Sequence, residues 1–205
     1  MSTHAALYDL SSAQQGLWFA QNVDPTNPIF NTAHYTELRH ALNVPLFIEA
    51  VDTVLAQADV LTLRLEDQAG HTQQRFDVPT PRVERITHLR SKEAVLQHLR
   101  SDQQTPVDLY QDPCARFILY ELHPEHFIFY SRIHHLAADG YAMNLLEARC
   151  IQHYLARCRG LTPPQALGAI EATLAEDQAY LHSPKHNKDR AFWLEKLSTY
   201  DEVLS

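Results

Sequence analysis

Residues 114–122 read Cys-Ala-Arg-Phe-Ile-Leu-Tyr-Glu-Leu, residues 123–126 His-Pro-Glu-His, and residues 127–140 Phe-Ile-Phe-Tyr-Ser-Arg-Ile-His-His-Leu-Ala-Ala-Asp-Gly. The two apolar runs are aromatic and β-branched, and over much of their length both faces are apolar. That pattern belongs to central strands covered on each side by helices. His123 to His126 reads as a solvated hairpin turn between them. After Gly140 the period changes. Leu145, Ala148, Ile151 and Leu155 lie beside Leu146, Cys150 and Tyr154, a wide stripe that predicts a long, deeply packed helix to about Cys158.

Working outward, helices and strands alternate. Ser11 and Ser12 cap a short helix over Ala13 to Ala20. Two prolines make 24–28 a loop, and Ala33 to Leu38 reads as a strand. Asn43 and Pro45 open a helix carrying Phe47, Val51, Val54, Leu55 and Ala58. Leu61 to Leu65 and Thr72 to Phe76 are strands around Gly70, and Val83 to Ile86 is another. Ser91 caps a helix to about Gln104, with Val95, Leu96 and Leu99 facing inward. Gly160 to Pro164 breaks the long helix, and stretches at about 169–181 and 189–200 follow with Ser183-Pro184 between them. The fold class is α/β (α+β).

The 205 residues carry a net charge of −8, which disfavours a general nucleic-acid binder, because phosphate binding needs a surplus of cations. No apolar run approaches the roughly 18 residues needed to cross a bilayer, and Met1-Ser2-Thr3-His4 is not the start of a secretory signal. Three cysteines (Cys114, Cys150, Cys158) without a Cys-x-x-Cys point to a reduced, cytoplasmic setting. Cys150 and Cys158 stand too far apart along one helix to bond. Trp18 and Trp193 read as packing anchors, and His182 and His186 as surface residues.

Chemistry concentrates at His134-His135-Leu136-Ala137-Ala138-Asp139-Gly140, where a buried strand meets a helix N-terminus. If extension persists, the two histidines face opposite ways, His135 sharing its side with Ser131 and Ile133, and His134 with Tyr130 and Arg132. An imidazole near its ordinary pKa can serve as a general base. Gly140 allows close backbone approach, and helix N-terminal amides can stabilise an oxyanion. A polar loop with incidental histidines, or a two-histidine-one-carboxylate metal site, stands as an alternative at this point.

His134-His135-x-x-x-Asp139-Gly140 resembles the HHxxxDG signature of nonribosomal peptide synthetase condensation domains, in the chloramphenicol-acetyltransferase-like superfamily. Ser11 to Trp18 is similar to the family's first motif, SxAQxRLW. Ala58 to Leu65 sits where its second motif belongs, and Lys188 to Trp193 resembles the segment closing its first lobe. The resemblance implies a mixed sheet flanked by helices, forming one lobe of a two-lobed fold, with residues 1–168 the N-terminal lobe and 169–205 helices leading toward the absent C-terminal lobe. It implies amide formation between a donor acyl, aryl or peptidyl thioester and the α-amine of an acceptor aminoacyl thioester, in nonribosomal peptide biosynthesis, of which siderophore biosynthesis is one case. His135 would contact the amine, Gly140 would face the oxyanion, and His134 and Asp139 would hold the loop. No metal or directly bound cofactor is implied. Substrates ride on the phosphopantetheine of donor and acceptor carrier proteins, and the remaining partners are the C-terminal lobe and downstream synthetase domains, with neither nucleic acid nor membrane.

The paired histidines argue against heterocyclisation, and a first motif so near Met1 favours condensation with a donor on a separate carrier. Gly16 and Thr62 depart from the family's arginines, leaving Arg64 and Arg132 as candidate partners of Asp139. With one lobe only, the 205 residues alone are expected to be inactive. An acyl-CoA-dependent acyltransferase and a non-catalytic docking lobe are the alternative functions.

Overall fold

The computed structural model describes residues 6–198. By chain contacts the molecule divides into two compact units, Met1–Gly168 and Ala169–Ser205. In the first, β1 (Tyr8–Asp9), α1 (Ser12–Val23), β2 (Asn31–Leu38), α2 (Val44–Leu55), β3 (Leu63–Gln68) and β4 (His71–Phe76) come first. They are followed by β5 (Val83–Ile86), α3 (Lys92–Gln103), β6 (Ala115–His123), β7 (His126–His134) and α4 (Gly140–Cys158). Short 3-10 turns at Pro28–Phe30 and Asp59–Thr62 lead into β2 and β3.

The local chemistry explains these boundaries. Ser11 and Gln14 form a reciprocal capping box on α1, Asn43 caps α2 ahead of Pro45, and Ser91 caps α3. Ala69 and Gly70 both adopt positive φ, which suits the two-residue turn joining β3 to β4.

The main sheet runs β2-β7-β6-β5, with β5 parallel to β6 and the other pairs antiparallel, so it is mixed. A smaller antiparallel sheet runs β1-β4-β3. The runs at 114–122 and 127–134 are the two inner strands. Phe127, Phe129 and Ile133 share one core with Phe47, Val51, Met143 and Leu146 of α2 and α4. Ile128 and Tyr130 face the other way, onto Val95 and Leu99 of α3. Period-two alternation thus feeds two separate cores from one strand.

α4 corrects the expected deep packing. Met143, Leu146, Cys150, His153 and Ala156 are buried, while Leu145, Ile151 and Leu155 are exposed. A helix lying on one sheet turns a single stripe inward, and here the other stripe points out. The hairpin turn is exposed at His123 to Glu125, as expected, while His126 is half-buried and its Nε2 lies 2.7 Å from Glu37 Oε1.

The second unit holds α5 (Ile170–Leu181) and α6 (Pro184–Ser198). α6 begins five residues before the expected Asp189, because Pro184 suits a first helical turn and the Ser183 hydroxyl accepts from the His186 amide. Its expected end at Tyr200 lies outside the described residues. Trp193 meets Phe192 edge-on but is exposed rather than anchoring a core. Trp18, in contrast, packs against the main core and donates to the Tyr110 hydroxyl at 3.2 Å.

Candidate active site

β7 ends at His134, so His135 already lies in the turn that leads to α4. Strand alternation stops one residue short of the expectation. The His135 amide donates to Phe30 O at 2.8 Å and the His134 amide to Cys114 O at 2.8 Å, which pins the strand end between its neighbours.

The two imidazoles are in different states. His134 is 2% exposed, and burial, with smaller contributions from His135 and Arg132, lowers its pKa to about 4. Its Nδ1 accepts from the Leu136 amide at 3.2 Å. The ring's proton therefore sits on Nε2, which faces Gln21 Oε1 at 3.3 Å. With one nitrogen accepting and the other donating, His134 has no lone pair left to take a substrate proton. His135 is half-buried; among the described residues its Nδ1 is buried without a partner and its Nε2 makes no hydrogen bond. Of the pair, only His135 offers a free nitrogen.

Asp139 is the N-cap of α4, its Oδ1 accepting from the Ala142 amide at 2.8 Å. The arginine partners expected for it are engaged elsewhere. Arg64 donates to Gln111 O at 3.0 Å, and Arg132 lies 3.1 Å from Asp102. Asp139 fixes the start of the helix through a backbone amide rather than through a cation. Gly140 follows at the first helical position, and nothing stands within 4 Å of where a Cβ would be. The first amides of a helix have no intrahelical partner, and here that of Ala142 is taken by Asp139.

Two supporting contacts escaped the sequence reading. Gln14 Nε2 donates to Leu136 O at 3.1 Å, and its side-chain amide pairs reciprocally with that of the fully buried Gln74, at 2.8 Å each way. Glutamine in the first motif is thus tied to the histidine loop 122 residues later. Asp102, 7% exposed, accepts from Arg116 at 2.7 Å and from the Tyr130 hydroxyl at 2.8 Å, besides meeting Arg132. Its signal was an acid on the Val95–Leu99 face of α3. A cavity of about 450 Å³ borders His134, with Trp18, Leu65, Leu109 and Leu136 among its walls.

Cys114 and Cys150 are poor nucleophiles, because burial raises both thiols to about 12. Among the described residues no three His, Cys, Asp or Glu side chains are placed to hold a metal ion. Nor is any helix among them long and apolar enough to cross a membrane.

A family model described as condensation domain matches residues 4–205. The chain is 36% identical over 204 residues to the dimodular nonribosomal peptide synthase of Bacillus subtilis (strain 168), covering 97% of this chain and 8% of that protein. It is 29% identical over 205 residues to enterobactin synthase component F of Escherichia coli (strain K12), covering 96% and 16%. The starter condensation domain of rhizomide synthetase RzmA superposes with a TM-score of 0.85 at 31% identity, over 94% of this chain and 48% of that one. The first condensation domain of the calcium-dependent antibiotic synthetase superposes with a TM-score of 0.81 at 25% identity, over 95% and 48%. The chain therefore spans about half of these solved chains and a small part of the longer relatives.

Proposed function

The chain belongs to the condensation-domain family, and from that membership we propose that it supplies the histidine-bearing lobe of a domain that forms amide bonds. The donor is an acyl, aryl or peptidyl thioester and the acceptor is an aminoacyl thioester, each on the phosphopantetheine arm of a carrier protein. The acceptor's α-amine attacks the donor carbonyl, a carbon–nitrogen bond forms as the carbon–sulfur bond breaks, and the amine's proton passes to the departing thiol.

One observation carries the assignment of roles: His134 has both ring nitrogens spent, whereas His135 Nε2 makes no hydrogen bond among the described residues. His135 receives or orients the amine. An α-amine with a pKa near 8 is partly neutral at pH 7, so much of its contribution is placement. The amide of Gly140 stabilises the oxyanion, and Asp139 and His134 hold the loop. A second lobe closes the chamber and excludes water. The partners are the two carrier proteins and neighbouring synthetase domains, and three free thiols accord with work in the cytoplasm.

Amide formation from loaded donor and acceptor carriers tests this. In full-length protein, His135→Ala should abolish most turnover without lowering the melting temperature, and the 205 residues alone should give no product. Unchanged turnover in the variant would remove His135 from the reaction.

A further inference from the structure

Gln21 stands in the last turn of α1, half-buried, and both ends of its side-chain amide are engaged. Its Nε2 donates to Asp24 O at 3.0 Å and to Asn27 O at 3.1 Å, and its Oε1 faces His134 Nε2 at 3.3 Å. This network fixes which way the amide points. Turned over, its oxygen would face two carbonyls, and its amino group would face a ring nitrogen that already carries the proton, because the Leu136 amide occupies Nδ1. Gln21 is therefore an acceptor toward the imidazole and a donor toward the loop after α1.

That loop meets the histidine pair a second time. Asn27 Oδ1 accepts from the Ile29 amide and starts the turn Pro28–Phe30. The Phe30 carbonyl accepts from the His135 amide at 2.8 Å, and the Phe30 ring lies 6.1 Å from that of His134. Residues 21–30 thus form a strap that holds adjacent histidines, Gln21 by the ring of His134 and Phe30 by the backbone of His135. The peptide unit before His135 is fixed by Phe30, and the one after it by Nδ1 of His134. With both planes set, the direction in which the His135 side chain leaves the backbone is set too. Among the described residues Gln21 is the partner of the His134 Nε2 proton, and without it that buried donor is unpaired. An unpaired donor in that position is costly, and turning the ring toward water to satisfy it gives up the Leu136 amide.

We propose that Gln21 is a positioning residue for amide formation. By accepting from His134 Nε2 it holds that ring against the Leu136 amide, and so holds the peptide unit from which His135 meets the acceptor's amine. This rests on the amide-forming reading above and adds a residue that lies outside the motifs. Gln21 also lines the cavity beside His134, so direct contact with substrate is the rival role, and kinetics separate the two.

The test uses full-length protein carrying this chain, with acetyl- and benzoyl-pantetheine thioesters as donors and glycyl-pantetheine thioester as acceptor. Gln21→Leu removes the acceptor. Its kcat should fall about tenfold with KM within about twofold of wild type. In histidine-labelled protein, the Nε2–H signal of His134 should be present in the wild type and lost in this variant. Gln21→Glu keeps an acceptor and adds charge. A carboxylate favours the imidazolium, so it raises the His134 pKa from about 4, where burial first, and then His135 and Arg132, hold it. The other titratable side chains on that cavity are Asp108, Tyr110 and Asp112. Once charged, the ring is protonated at Nδ1 and no longer accepts from Leu136. The ratio of Gln21→Glu to wild-type kcat should therefore fall as pH drops from about 8 to about 6, while that of Gln21→Leu stays level.

Wild-type kcat in Gln21→Leu overturns the proposal. So does a raised KM at unchanged kcat, which would make Gln21 a cavity wall that touches substrate. A level Gln21→Glu ratio overturns it as well, and that profile decides the matter if Gln21→Leu fails to fold. Failure of the wild-type protein to form amide from either donor overturns the amide-forming reading. In that case an Nε2–H signal unchanged in Gln21→Leu overturns the hold of Gln21 on the ring, and its loss upholds it.

Discussion

The amide of Leu136 donates to Nδ1 of His134 at 3.2 Å, so the backbone two residues on decides which nitrogen of this imidazole holds the proton. The ring is neutral in the native state down to about pH 4, while in the unfolded chain it protonates near its ordinary 6.5. Between those values the unfolded state binds the extra proton, so this contribution to stability is whole above about pH 6.5 and is lost as pH falls to about 4. The loss reaches about 3 kcal/mol. Urea unfolding across that range should show it, and His134→Gln should flatten the slope. Nitrogen NMR should find the Nε2-protonated tautomer at pH 7.

Gln14→Ala removes the donor to Leu136 O and leaves the buried Gln74 Oε1 without its donor, while Gln74 Nε2 keeps Asp9 O. The expected cost is about 1–3 kcal/mol in urea unfolding. Hydrogen exchange should also quicken at the amides of Ala137 and Ala138, both of which face His134 O. If exchange there stays at the wild-type rate, Gln14 does not hold the loop.

Asp102→Ala leaves the buried Arg132 guanidinium without its carboxylate and takes the acceptor from the Tyr130 hydroxyl. A loss of about 3–5 kcal/mol is expected by chemical denaturation. Arg116→Ala removes a partner that is more than a third exposed and should cost far less.

Glu37 joins the end of β2 to Lys92 of α3 and to His126 of β7. Hydrogen bonds from Lys92 and then His126 pull its pKa from 4.5 to about 2. Its contribution is therefore present above about pH 4.5 and fades as pH falls through about 2. Lys92→Met should shift the acid-unfolding midpoint upward, and 1 M salt should shrink the difference between variant and wild type.

Where the amino-acid pattern was informative, the signal was local. The apolar runs at 114–122 and 127–133 identified β6 and β7, and caps at Ser11, Asn43 and Ser91 placed helix starts, because a cap acts over three residues. The His134 to Gly140 stretch marked the candidate site for a similar reason: a strand end and a helix start must meet there. What escaped was set by distant partners. Neither Arg64 nor Arg132 reaches Asp139, since each is held by residues remote in the chain. The outward stripe of α4 is as apolar as residues that are buried, so composition could not separate them.

By itself the sequence determined which segments are strand or helix, where the chemistry gathers, and which family the chain resembles, since periodicity, capping and motif spacing are written along the chain. Only the tertiary structure decided that His134 is spent and His135 is free, that Gln14 grips the histidine loop, and that Gln21 meets the His134 ring. Those outcomes depend on burial and on hydrogen bonds between residues far apart in the chain, and such energies exist only once the chain has closed on itself.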